Sequence, residues 1–208
     1  MSQSERPIIV DVEHLRHFYK EPRAAAKMKA LDRLDDFCKT FIALSPFFVL
    51  ASCNDLGHVD ASPRGDQPGF VRVPDDHTLL IPDRPGNNRV DTMRNILSTP
   101  GVGMIFLVPG FNETLRVNGT AAILQDVGLC AEFTVNGNAA LSVIRVSVRE
   151  AFFHCGKALM RSRLWDPATY RDRATFPSHG RILAEQTRTV SVEESEAYVA
   201  RSYKERLY

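Results

Sequence analysis

Arginines at several separated points of the chain stand beside residue types that suit an oxyanion. Ser62-Pro63-Arg64-Gly65 is the first such cluster. A guanidinium fork can give a phosphate two parallel hydrogen bonds, the Ser62 hydroxyl adds a donor, and Gly65 leaves the backbone approachable. An exposed arginine in a surface turn accounts for the same residues without a ligand. Asp83-Arg84-Pro85-Gly86-Asn87-Asn88-Arg89 is the second cluster and leads straight into a helical stretch. A helix N-terminus offers unpaired amides and about half a positive charge, and Arg84 and Arg89 bring cations to it. Asn87 or Asn88 capping that helix is the ligand-free alternative. Two arginine-bearing loops one hairpin apart can converge on a single phosphoryl group.

The third cluster runs from His154-Cys155 through Lys157-Ala158 to Arg161-Ser162-Arg163-Leu164-Trp165. Lys157 and Arg161 are one helical turn apart and share a face, and Trp165, the sole tryptophan, could flank a planar ligand. A solvated basic face is the plain alternative. His154 and Cys155 are neighbours on a strand and so point to opposite faces, which argues against a nucleophile–base pair. Thr114, Arg116 and Asn118 fall on one face of their strand by period two.

Strands and turns must carry these clusters. Pro22 and the run Ala24–Met28 open a helical region, where Leu31, Leu34, Phe37 and Phe41 form one apolar stripe and Asp35-Asp36 start a second helix that stops at Ser45-Pro46. Strands are predicted at 47–52, 59–63, 70–73, 78–82, 102–108, 114–124 and 139–153, with helices from Val90 to Leu97 and from Lys157 to Trp165, and a short one within 125–135. Ser191 with Glu194 forms a capping box before a last helix. The first dozen residues read as a mobile arm. Strands outnumber crossover helices, which favours an antiparallel barrel or sheet over a doubly wound fold.

Composition bounds the rest. At 208 residues the chain suits one domain, and 26 Lys and Arg against 25 Asp and Glu leave a net charge of +1. That balance supplies no pull toward nucleic acid or an anionic membrane. With 44% hydrophobic and 25% charged residues the composition is globular. No apolar run is long enough to span a bilayer, and Met1–Val10 has no secretory pattern, so the expectation is a soluble cytoplasmic protein. The four cysteines form no CxxC pair and are expected reduced, without metal. Neither GxGxxG nor GxxxxGK[ST] occurs.

The order and spacing of these segments resemble the pyridoxamine 5′-phosphate oxidase-like proteins, the FMN-binding split barrels. The resemblance runs from Phe48-Val49-Leu50-Ala51-Ser52 and Asp60–Gly65 through Pro68–Val71, Leu80–Asp83, Pro85–Arg89 and Glu113–Gly119 to His154–Trp165. It implies a mainly β fold with flanking helices, a six- to seven-stranded antiparallel split β-barrel. The whole chain would be one such domain, with a helical N-terminal segment at about residues 22–45 and a helical tail at about 178–208. It further implies a homodimer with FMN in clefts between subunits. Arg64, Asn88 and Arg89 would take the phosphate, with Ser62 adding a donor. The backbone of Pro63, Ile81 and Pro82 would lie along the ring and ribityl chain, with Thr114 near the cleft. Lys157, Arg161 and Trp165 would reach the flavin from the partner. The oxidase's substrate signature for vitamin B6 has no counterpart near Arg171–Arg181, so the resemblance carries an FMN-dependent oxidoreductase of unspecified substrate. A flavin-binding carrier or redox sensor, or a module for a deazaflavin or haem, are the alternatives.

Overall fold

The computed structural model describes residues 8–205, 207 and 208. Seven strands form its centre: β1 (Phe47–Cys53), β2 (Val59–Gly65), β3 (Arg72–Asp75), β4 (Thr78–Asp83), β5 (Gly101–Leu107), β6 (Thr114–Leu124) and β7 (Ser142–His154). Period-two burial aligns them. Phe48 and Leu50 of β1, Met104 and Phe106 of β5, and Leu115 and Val117 of β6 all face one core. Phe48 stacks between Phe106 and Phe70, with ring centroids 4.7 and 5.8 Å away. Every strand pairing is antiparallel, in the order β2-β1-β5-β6-β7-β4-β3. The expected mainly β architecture with flanking helices is what forms.

Three strands carry a proline, and Pro74 lies on the edge strand β3. Pro63 lies on the edge strand β2, and β3 pairs β4 only as far as Leu80, which leaves Pro82 a free side. The longest pairing, β6 with β7, shifts register between Asn118 and Gly119. A Cβ at Gly119 would stand 2.2 Å from the Ser147 carbonyl oxygen, so only glycine permits this bend in the sheet. The sheet rolls far enough for Arg64 on edge strand β2 to meet Asp83 at the end of β4, near the opposite edge, at 2.7 Å.

Around the sheet lie helices α1 (Val12–Arg16), α2 (Ala24–Met28), α3 (Asp36–Leu44), α4 (Asp91–Ser98), α5 (Val127–Ala131), α6 (Lys157–Ser162), α7 (His179–Thr187) and α8 (Val192–Glu205). Asp35 caps α3 by accepting from the Cys38 amide, and Leu34, Cys38, Phe41 and Ile42 bury against the barrel. Phe37 departs from the expected stripe: it is 76% exposed, because the buried face follows Leu34, Cys38 and Phe41 instead. The helix expected to reach Trp165 ends at Ser162, where Arg163 turns to φ 50°. The arm expected over the first dozen residues lies partly outside the described residues, and Val12–Arg16 is helical. The capping box forms as expected: the Ser191 amide donates to Glu194 Oε2 at 3.0 Å, and the Glu194 amide donates to Ser191 Oγ at 3.2 Å. All four cysteines are free. No described helix is long and apolar enough to cross a membrane.

Candidate functional site

A cavity of about 600 Å³ opens between the end of β2, the end of β4 and the loop that enters α4. Ser62, Pro63 and Arg64 wall one side, Pro82 a second, and Asn88 and Arg89 a third. The two arginine-bearing segments singled out in the sequence therefore share one concavity. α4 is fixed beside it by two side-chain bonds: Thr92 Oγ1 donates to Asp60 Oδ2 at 3.1 Å, and Asn95 Nδ2 donates to Ser52 Oγ at 3.0 Å.

The electrostatics are more balanced than arginines alone suggest. Arg64, Arg84 and Arg89 line the cavity together with Asp60, Asp66, Asp83 and Asp91. Arg64 gives one terminal nitrogen to Asp83, both side chains being 18% exposed, while its Nε is buried with no hydrogen-bond partner among the described residues. A buried donor left unpaired is costly, so this guanidinium has unspent capacity for an acceptor. Arg84 is fully committed: its Nε and one terminal nitrogen hold Asp66, and the other terminal nitrogen donates to the Phe133 carbonyl at 2.7 Å. Among the described residues Arg89 pairs only with Asp91, at 2.7 Å and largely in water. Such an exposed pair contributes little and yields readily to a better ligand.

The sequence leaves open asparagine capping of α4, and the structure decides against it. Asn87 Oδ1 accepts from the Arg89 amide at 3.1 Å, and the capping position is Val90, whose side chain makes no cap bond. Val90 and Asn88 both adopt positive φ, 52° and 60°. For a β-branched valine that conformation is strained, and the first turn of α4, which has no side-chain cap, borders the cavity through Val90, Asp91 and Thr92.

The remaining candidates lie elsewhere. Ile81 is wholly buried in the core and is not among the residues lining this cavity. Thr114, with Arg116 and Asn118, lines a second concavity of about 370 Å³. It lies over the sheet face that carries Val49, Ala51 and Ile105, opposite to the face carrying Phe48, Leu50 and Phe106. Ala158 and Leu159 of α6 border it, so Lys157 and Arg161, both exposed, belong to that side of the molecule. Trp165 donates from Nε1 to the Phe111 carbonyl at 2.7 Å. The two concavities share no lining residue. His154 Nδ1 lies 3.3 Å from the Cys155 carbonyl oxygen, and no metal-ligand cluster occurs among the described residues. Sequence reasoning missed the carboxylates that hold the arginines. Asp66 and Asp83 are 18 and 19 residues from their partners Arg84 and Arg64, and only barrel closure brings them together.

A family model, Pyridoxamine 5′-phosphate oxidase, matches residues 34–155, more than half of the chain. The chain belongs to the pyridoxamine 5′-phosphate oxidase family. The matched stretch contains Arg64, Arg89 and Thr114, whereas Lys157, Arg161 and Trp165 fall just beyond it. No curated protein matches the sequence. Among solved structures, HupZ from Group A Streptococcus is 17% identical with a TM-score of 0.48, covering 57% of this chain and 92% of its own. General Stress Protein 26 from Bacillus anthracis is 16% identical at 0.42, covering 55% and 88%. An F420 reductase is also 16% identical at 0.42, covering 56% and 94%.

Proposed function

We propose that this family member is an FMN-dependent oxidoreductase acting on a small molecule, with FMN bound by Arg64, Asn88 and Arg89. The observation that carries this reading is the single cavity shared by the end of β2 and the loop before α4. Its volume of about 600 Å³ lies within the range of small-molecule sites. The residues fit a phosphate monoester: Arg64 has an unpaired Nε, Arg89 is held only by an exposed carboxylate, and the start of α4 is uncapped. Ser62 adds a hydroxyl donor on the same wall. Pro63 and Pro82 present ring carbons and no backbone donor, which suits the edge of a planar ligand.

A bound flavin supplies hydride transfer, and the protein's part is to hold and orient it. Arg64 and Arg89 neutralise the phosphate dianion. The lining aspartates offset part of that attraction, so phosphate binding proceeds by exchange of Asp91, and in part Asp83, for phosphate oxygens. Thr114 and α6 border a separate concavity that shares no lining residue with this cavity. A homodimer, in which Thr114, Lys157, Arg161 and Trp165 of a second copy complete the site, accommodates both sets. Four free cysteines suit a reducing, cytoplasmic setting.

Purification tests this directly. The protein is expected to be yellow, and heating is expected to release a flavin that co-migrates with FMN. A colourless protein that also fails to take up added FMN contradicts the proposal. Anaerobic mixing with NADH or NADPH then reports on turnover: bleaching of the flavin band followed by reoxidation by an added acceptor supports an oxidoreductase. A flavin inert to every donor tested supports a carrier or sensor.

A further inference from the structure

We infer that Tyr208, far along the chain from the cavity loops, is a positioning residue for the arginine-bearing wall of the cavity, acting through Asp66 and Arg84. The inference rests in part on the flavin reading, because its functional consequence is read in phosphate affinity. Its structural core does not.

The Tyr208 hydroxyl donates to Asp66 Oδ1 at 2.9 Å, and the Gln67 amide donates to the same oxygen at 2.7 Å. The other oxygen, Oδ2, receives Arg84 Nε at 3.2 Å and a terminal Arg84 nitrogen at 3.1 Å. Arg84 lies 5.8 Å from the centre of the Tyr208 ring, so the tyrosine holds the ion pair through its hydroxyl and its face together. The Asp66 side chain is 3% exposed and that of Arg84 16%. A carboxylate so thoroughly removed from water is stable as an anion only while its oxygens are satisfied. Tyr208 supplies one of those bonds.

The next pair along shows why this matters for the site. Arg64 and Asp66 stand at the end of β2, and Asp83 and Arg84 at the end of β4. They form two adjacent bridges of opposite polarity, Arg64 to Asp83 and Asp66 to Arg84. The second bridge fixes the residue next to Asp83, and Asp83 sets where Arg64 points. Tyr208 therefore braces the stem of the 83–89 loop, and with it the spacing between Arg64 and Arg89. The sequence separation of 142 residues explains why no motif reveals it.

Tyr208→Phe removes the hydroxyl and keeps the ring. Hydrogen exchange of the 83–89 amides is expected to accelerate by about tenfold, the order of one lost bond to a charged group. FMN affinity is expected to fall by about five- to tenfold while riboflavin affinity stays unchanged, since only the phosphate contacts depend on the brace. Tyr203→Phe, an exposed residue on α8, is the control and leaves both unchanged. Unaltered exchange at 83–89 in Tyr208→Phe overturns the inference. So does an equal loss for FMN and riboflavin, which marks a general structural effect. If the wild type binds no flavin, the flavin reading fails by itself, and the exchange measurement still decides the brace.

Discussion

Arg64 combines the features that make a phosphate ligand: a place at a strand end, partial burial, one partner and one idle donor. If it holds the phosphate, Arg64→Ala weakens FMN by about 1.5–3 kcal/mol, the range for hydrogen bonds to charged groups, and leaves riboflavin nearly unaffected. Equal losses for the two ligands in a fluorescence titration would contradict this role. Arg64→Lys recovers only part of the loss, because a point charge does not reproduce the fork. The cysteines separate at the same scale. Burial, followed by the neighbouring Asp35, pushes the Cys38 thiol up to about 12, whereas Cys155 is exposed. Alkylation of the native protein at mildly alkaline pH is therefore expected at Cys155 long before Cys38, with Cys38 reacting only on unfolding. Mass spectrometry of the modified peptides checks the order. The arginines were legible in the sequence because turn residues surround them. Their carboxylate partners were not, because nothing local links Asp83 to Arg64 or Asp66 to Arg84.

Element geometry rests on a few irreplaceable residues. Gly119 sits where β6 shifts register against β7, with the Ser147 carbonyl in the space a Cβ would take. Gly119→Ala should destabilise the protein by more than about 2 kcal/mol, as overpacking against rigid backbone does, and a denaturant midpoint measures it. At the other end of the chain, the Ser191 amide and hydroxyl hold the Glu194 carboxyl below its ordinary 4.5. A depressed carboxyl contributes stability that is present above its unfolded value and is lost as pH falls through the folded one. Protection of the first turn of α8 should therefore drop on acidification below about 4.5, and Glu194→Gln should abolish that dependence in hydrogen exchange. Strand identities and most helices were legible from period and turn chemistry, whereas α1 was not. Boundaries were less so: α6 stops early because Arg163 adopts a left-handed conformation, and Phe37 turns outward because α3 packs through Leu34, Cys38 and Phe41. Both outcomes are set by tertiary packing that a single-sequence pattern does not contain.

For the whole molecule, sheet order and closure decide what meets what. β2 and β3 are the edges of a seven-stranded sheet, yet the roll of that sheet brings Arg64 to Asp83 and makes one cavity from two loops. The convergence of those loops is legible in their spacing; the second concavity is not, because it depends on which way the sheet curls. The family resemblance underlies the expectation of a dimer, so sedimentation should give twice the 23.3 kDa chain mass, and a monomer at micromolar concentration that still binds FMN fully would refute the shared site. The central claim is that Arg64 and Arg89 jointly grip a flavin's phosphate. Parallel titration of apoprotein with FMN and with riboflavin tests it most directly: a joint grip makes FMN bind at least about a hundredfold tighter, about 2.7 kcal/mol. Equal affinity for the two flavins, or none for either, would contradict it.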